Sequence, residues 1–106
     1  MDTVNKKTTY FVNITFKDED GVEVTPTAAW YNLYCETNQS AILGDTSITG
    51  LSTSVDVVVT ATQNDIITST NKSEQKLMTV RFTYDGGQYQ GTNEYRWVVQ
   101  NLPRIA

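Results

Sequence analysis

Between Lys76 and Gln100 two runs of alternating residues flank the triplet Asp85-Gly86-Gly87. In the first run Met78, Val80, Phe82 and Tyr84 share one parity, and Thr79, Arg81 and Thr83 the other. In the return, Gln88 to Gln100, residues Tyr95, Trp97 and Val99 oppose Glu94, Arg96 and Gln100. A strand puts successive side chains on opposite faces, whereas a helix repeats about every 3.6 residues. Each run is therefore a strand with one apolar face, and the Gly pair supplies the positive φ of a hairpin turn. A lone hairpin cannot bury such a face, so the rest of the chain must supply a second layer.

The remaining segments carry the same period. Tyr10, Val12, Ile14 and Phe16 alternate with Phe11, Asn13 and Thr15, and a turn at Lys17-Asp18-Glu19-Asp20-Gly21 follows. Val22 to Thr25 is a short extended piece that Pro26 stops. Ala28 to Cys35 reads as a strand whose Trp30 and Leu33 are out of step, which requires a bulge or two covered faces. Ala41 to Leu43 is a short strand ended by a turn at Gly44-Asp45. In Ser54 to Ala61, Val55, Val57 and Val59 face one way; Val58 interrupts the polar side, so that side too is expected to be covered. Gln63 to Ser73 is the longest break, with Ile66 and Ile67 placed to plug one end. No helical spacing outlasts a turn. Six or seven short strands at turn spacing predict an all-β fold, an antiparallel β-sandwich of immunoglobulin or fibronectin type III kind. A small closed barrel is the alternative. The expected layout is a loose polar arm over 1–7, a sandwich over 8–102 and a tail over 103–106.

Composition narrows the function. The chain has 106 residues, enough for one domain, and 19% are charged. No apolar run approaches the roughly 20 residues of a membrane helix. Lys6-Lys7 is followed by no apolar stretch of signal-peptide kind, so export by that route is not expected. The net charge is −4, and eight Lys and Arg are scattered rather than gathered on a stripe. Nucleic acid and anionic membranes are therefore not expected partners. One cysteine, Cys35, excludes an intrachain disulfide and suits a reducing compartment. The sequons at Asn13, Asn38 and Asn71 are read as unglycosylated.

Catalytic sets are not expected. Without histidine there is no Ser-His or Cys-His pair and no imidazole ligand. Cys35, on a strand beside Leu33 and Tyr34, reads as a packed thiol. Asp18, Glu19, Asp20 and Glu23 crowd one turn without EF-hand spacing, so a solvated turn is preferred to a calcium loop. No cofactor and no metal are expected, and the chain is read as a non-enzyme. Its aromatics divide between core and interface: Tyr84, Tyr95 and Trp97 sit on apolar parities, while Trp30 and Tyr31 point to opposite faces. A carbohydrate- or cell-surface-binding platform is the alternative use of that aromatic set. Interface candidates are Trp30, Tyr31, Leu102, Arg104 and Ile105, the last three in a tail able to add to a neighbour's sheet edge.

Several stretches of the second half resemble small tailed-bacteriophage proteins of the capsid and head–tail connector. They are Leu51, Ser54-Val55, Val57, Val59, Ala61, Asn64 and Ile66, then Leu77-Met78-Thr79-Val80, Tyr84, Glu94-Tyr95, Val99 and Asn101-Leu102. Upstream, Val24-Thr25-Pro26-Thr27, Trp30 and Leu33-Tyr34 fit the same pattern. The resemblance implies a virion structural role (capsid decoration, neck or tail joining) in symmetric copies made in a host cytoplasm, with other virion proteins as partners.

Overall fold

The computed structural model describes residues 1–102. Its seven strands are β1 (Asp2–Asn5), β2 (Tyr10–Thr15), β3 (Ala28–Cys35), β4 (Ser40–Ser47), β5 (Ser54–Val59), β6 (Ser73–Tyr84) and β7 (Tyr89–Gln100). They form a five-stranded sheet in the order β1-β7-β6-β3-β4 and a two-stranded sheet, β2-β5. The result is the expected β-sandwich, with the smaller layer reduced to one pair of strands. No helix long and apolar enough to cross a membrane occurs among the described residues.

The two longest alternating runs make the frame. β6 and β7 pair antiparallel from Ser73↔Gln100 to Tyr84↔Tyr89. The turn between them places Asp85, Gly86 and Gly87 in succession at φ of 55°, 67° and 88°, which glycine adopts without a Cβ penalty. Every second residue of β6 from Glu74 to Tyr84 is buried. Across the gap β2 offers Val12 and Ile14, with Phe16 just beyond its end, and β5 offers Val57 and Val59, all at most 6% exposed. Aromatic packing joins the layers: Phe16 meets Phe82 edge-on at 5.0 Å, and Tyr10 lies 5.2 Å from Trp97. Burying these side chains is the main favourable term for so small a domain.

Three local expectations are corrected, and the expected irregularity of β3 is resolved as a bulge. Residues 2–5 of the expected loose arm form β1, which runs parallel to β7 from Asp2↔Trp97 to Asn5↔Gln100, the one parallel pair among the described residues. Val4 is the one residue of β1 that packs against the core. Gly44-Asp45 is not a turn; β4 runs through both to Ser47. The mismatch in β3 is one-sided. Its pairing with β6 is regular over all eight residues, while its pairing with β4 shifts register around Leu33. Ala29, Leu33 and Cys35 are buried, Tyr31 packs against the core from the same parity, and Trp30, Asn32 and Tyr34 face outward. Finally, the outer side of the small sheet is uncovered: Val58 and its cross-strand partner Phe11 are 44% and 61% exposed.

Candidate protein-binding face

The outward parity of the large sheet gathers side chains from three strands. β3 contributes Trp30, Asn32 and Tyr34; β6 contributes Leu77, Thr79 and Arg81; β7 contributes Glu94 and Arg96. Trp30 is directly opposite Arg81 in the ladder, and the guanidinium carbon lies 4.2 Å from the indole centroid. β4 supplies the counter-charge. Asp45 Oδ2 is 3.7 Å from Arg81 Nη2, and Asp45 Oδ1 accepts a hydrogen bond of 3.1 Å from Asn32 Nδ2. A planar cation between an aromatic face and a carboxylate has few rotamers left to lose on binding.

A second charged group lies along the same face. Glu36 Oε1 accepts from Arg96 Nε at 2.9 Å and from Gln75 Nε2 at 2.8 Å, and Glu94 Oε2 accepts from Arg96 Nη2 at 3.2 Å. The Gln75 hydrogen bond, then the Arg96 contact, hold the Glu36 carboxyl below the usual carboxylate range against some desolvation. Leu77 and Tyr34 pair between the two clusters and are half-buried. The face is thus a sequence of fixed polar contacts around aromatic and aliphatic surface.

The other candidates are dispersed. Tyr31 faces inward and packs against the core. Leu102 follows the end of β7 and lines a depression of about 620 Å³ with Ser69–Ser73, Gln100 and Asn101. Trp30 pairs at Arg81 and Gln100 at Ser73, so eight residues of β6, roughly 26 Å of strand, separate the two places. Arg104 and Ile105 lie outside the described residues.

The residues that pattern reading passed over are polar and buried. Glu74 and Lys76 are each 1% exposed, on the inward parity of β6, and form a 2.9 Å ion pair. Glu74 also accepts from the backbone N–H of Ile67 and Thr68 at 2.8 and 2.9 Å and from Asn71 Nδ2 at 3.0 Å. Burial works to raise its pKa, but these four donors outweigh it and hold the carboxyl at about 2. Cys35, a buried free thiol, donates at 3.8 Å to Glu74 Oε1, the oxygen that also meets Lys76 Nζ. Asn64, fully buried, accepts from Trp97 Nε1 at 2.8 Å and donates from Nδ2 to Thr8 O at 2.9 Å. These groups tie the 60–72 loop to the sandwich and leave no open chemistry. For Glu74 and Lys76, shared parity with Met78 and Val80 on β6 was the available signal.

The carboxylate turn is also internally satisfied. Asp18 Oδ1 accepts from the N–H of Asp20 and Val22, and Glu19 accepts from the Tyr84 hydroxyl. No cluster of three or more His, Cys, Asp or Glu suited to a metal ion occurs among the described residues. The three sequon amides are engaged as well: Asn13 donates to Ser54 and Asp56, Asn38 to Thr68, and Asn71 to Asn38 and Glu74. No protein-family model matches the chain, and no curated protein or solved structure matches it.

Proposed function

We propose that this chain is a non-catalytic structural protein that binds other proteins through the outer face of its five-stranded sheet. The observation that carries the proposal is the Trp30–Arg81–Asp45 stack. Tryptophan and arginine are the side chains most often found at the energetic centre of protein interfaces. Here they are already ordered, so less freedom is lost on docking. Tyr34 and Leu77 extend the apolar surface beside them, and Arg96 with Glu36 and Glu94 supplies a polar rim.

The resemblance of the second half to phage capsid and connector proteins supplies the setting: a virion component contacting capsid, neck or tail proteins in symmetric copies. Many modest contacts on one ring or lattice reinforce one another through effective concentration. A sugar platform fits the same face less well, because a sugar ring stacks on a free indole face and Arg81 occupies one face of Trp30.

The test is mass spectrometry of washed particles of the phage that encodes the chain, with wild type and Trp30→Ala compared. Wild type present and Trp30→Ala depleted is the expected result. Absence of wild type from washed particles overturns the virion setting. Incorporation of Trp30→Ala at the wild-type level overturns the face. A glycan array probed with the isolated protein decides the sugar alternative.

A further inference from the structure

The two sheets leave a seam open on one side, and both of its walls are strand edges. Phe16 N donates to Thr53 O, just past the Thr15↔Ser54 pair. Hydrogen-bonded pairs alternate in an antiparallel ladder, so Tyr10, Val12 and Ile14 bond to β5. The N–H and C=O groups of Phe11, Asn13 and Thr15 therefore point away from β5, into the seam. Thr15 O is met there by Asn93 Nδ2 at 3.2 Å. The backbone groups of Phe11 and Asn13 have no partner on that side among the described residues.

The facing wall is the edge of β7. Gln100 O accepts from Lys6 N beside β1, and Asn101 N donates to Lys72 O on the opposite side. Even-numbered residues of β7 thus present their backbone to the β1 side. β1 covers that edge only from Trp97 to Gln100, which leaves Thr92 and Glu94 uncovered. Between the walls lie two adjoining depressions of about 520 and 370 Å³ that share Asn13, Glu94 and Tyr95. Apolar surface rims the seam: Met1 is 74% exposed and Phe11 61%.

We infer that this seam binds an extended polypeptide strand from another protein, added to the edge of β2. Donors and acceptors repeating every second residue along a strand edge are matched by another extended backbone. A two-stranded sheet is the weakest layer a sandwich can have, and a third strand completes it. Alternation follows from the geometry: one parity of the incoming strand packs inward beside Tyr95 and Val12, and the other lies outward beside Phe11. The occupant is thus a segment with apolar residues at alternate positions. This site adjoins the polar rim of the Trp30 face at Glu94 and Arg96 but uses neither Trp30 nor Arg81.

The experiment uses the full chain as bait and a displayed library of random dodecapeptides as probe. Enriched peptides should show period-two apolar spacing and should slow amide exchange at Phe11 and Asn13. Asn13→Pro removes the seam-facing N–H and keeps the backbone ladder to β5, though it also loses the Asn13 side-chain bonds to Ser54 and Asp56; it should weaken binding about tenfold or more. Phe11→Lys, at an exposed position, should weaken it too while the melting curve stays at wild type, which keeps the test readable if the proline variant does not fold. Trp30→Ala should bind these peptides as wild type does. An unenriched library, peptides without alternation, or binding that survives Phe11→Lys overturns the inference. A second copy of this chain as the natural donor would appear as concentration-dependent protection of the same two amides.

Discussion

The two ends of the sandwich are built from opposite materials. At one end Phe16, Phe82, Tyr84 and Tyr89 follow one another at ring separations of 5.0, 6.0 and 5.6 Å. Gly91 stands across from Phe82, and its missing Cβ is where the phenyl ring lies. At the other end the same inward parity of β6 carries Glu74 and Lys76, with Cys35 bonded to Glu74, and a second buried polar group, Asn64, bonded to Trp97. The aromatic end carries the tight turn at Asp85-Gly86-Gly87 and the 16–27 connection, which local backbone bonds and the Tyr84–Glu19 hydrogen bond hold in place. The polar end must hold a long loop, 60–72, whose own side chains are largely exposed. A buried carboxylate with four donors fixes such a loop in one arrangement, which apolar contacts alone specify less sharply. The cost is dependence: the polar end stands only while every member of its network is present.

The largest effect is expected from breaking that network. Glu74→Ala leaves the Lys76 ammonium buried without its carboxylate and strands the N–H groups of Ile67 and Thr68. The loss should be about 3–5 kcal/mol in urea unfolding, a large part of the stability of a domain this size. Adding Lys76→Met to Glu74→Leu should recover part of it, because no charge is then left alone. What remains lost measures the anchoring of the loop. A double variant no better than Glu74→Ala would mean that the ion pair itself contributes nothing.

Acid should find the same end. The folded-state pKa of Glu74 is near 2, below its ordinary value. A depressed carboxylate stabilises the fold above its unfolded pKa, and the contribution disappears as pH falls through the folded value. The window is therefore from about pH 4.5 down to about 2, and the contribution is on the order of 3 kcal/mol. Urea midpoints measured across this window should fall for wild type and fall less for the Glu74→Leu/Lys76→Met variant. Equal slopes would place the acid sensitivity elsewhere.

A smaller effect is expected at the aromatic end, from adding rather than removing. A Cβ on Gly91 lands within the Phe82 ring, so Gly91→Ala should cost about 1–3 kcal/mol through displaced packing. Its denaturation should keep the wild-type pH dependence, since no titratable group is touched. A change in acid sensitivity would show that the two ends are coupled through β6.

Much of the frame was legible because period-two alternation is a backbone property. Val12 to Phe16, Val55 to Val59 and Met78 to Tyr84 all bury the parity that their apolar residues mark. Three things were not legible, each for a physical reason. β1 is short and polar, and only Val4 reaches the core, so composition speaks for a loose arm while the free edge of β7 recruits it as a strand. Gly44 and Asp45 look like a turn, but β4 is an edge whose bulged pairing absorbs them. Glu74 and Lys76 share the parity of Met78, yet charged residues at an inward position read as strand ends until a loop is seen to close over them. Of the candidate face, Trp30 was visible from its parity. Arg81 and Asp45 were not, because ladder register decides which outward residues meet.

The smallest effect separates the binding face from both ends. Arg81→Ala removes a guanidinium that touches Trp30 on one side and Asp45, at 3.7 Å, on the other. Both charged side chains are about half exposed, so the ion pair contributes little, and an exposed cation–π contact contributes about 0.5–1 kcal/mol. Unfolding should therefore shift by less than about 1 kcal/mol, and acid sensitivity should stay with Glu74. Fluorescence gives the sharper reading, because the two tryptophans report different places. Trp97 is 1% exposed and bonded to Asn64, whereas Trp30 lies half-buried under Arg81. Acrylamide should quench the Arg81→Ala variant more than wild type, and a fraction assigned to Trp97 should stay protected in both. If stability fell by several kcal/mol instead, the Trp30 stack would be part of the fold's support. The outer face would then no longer be free to be shaped by a partner.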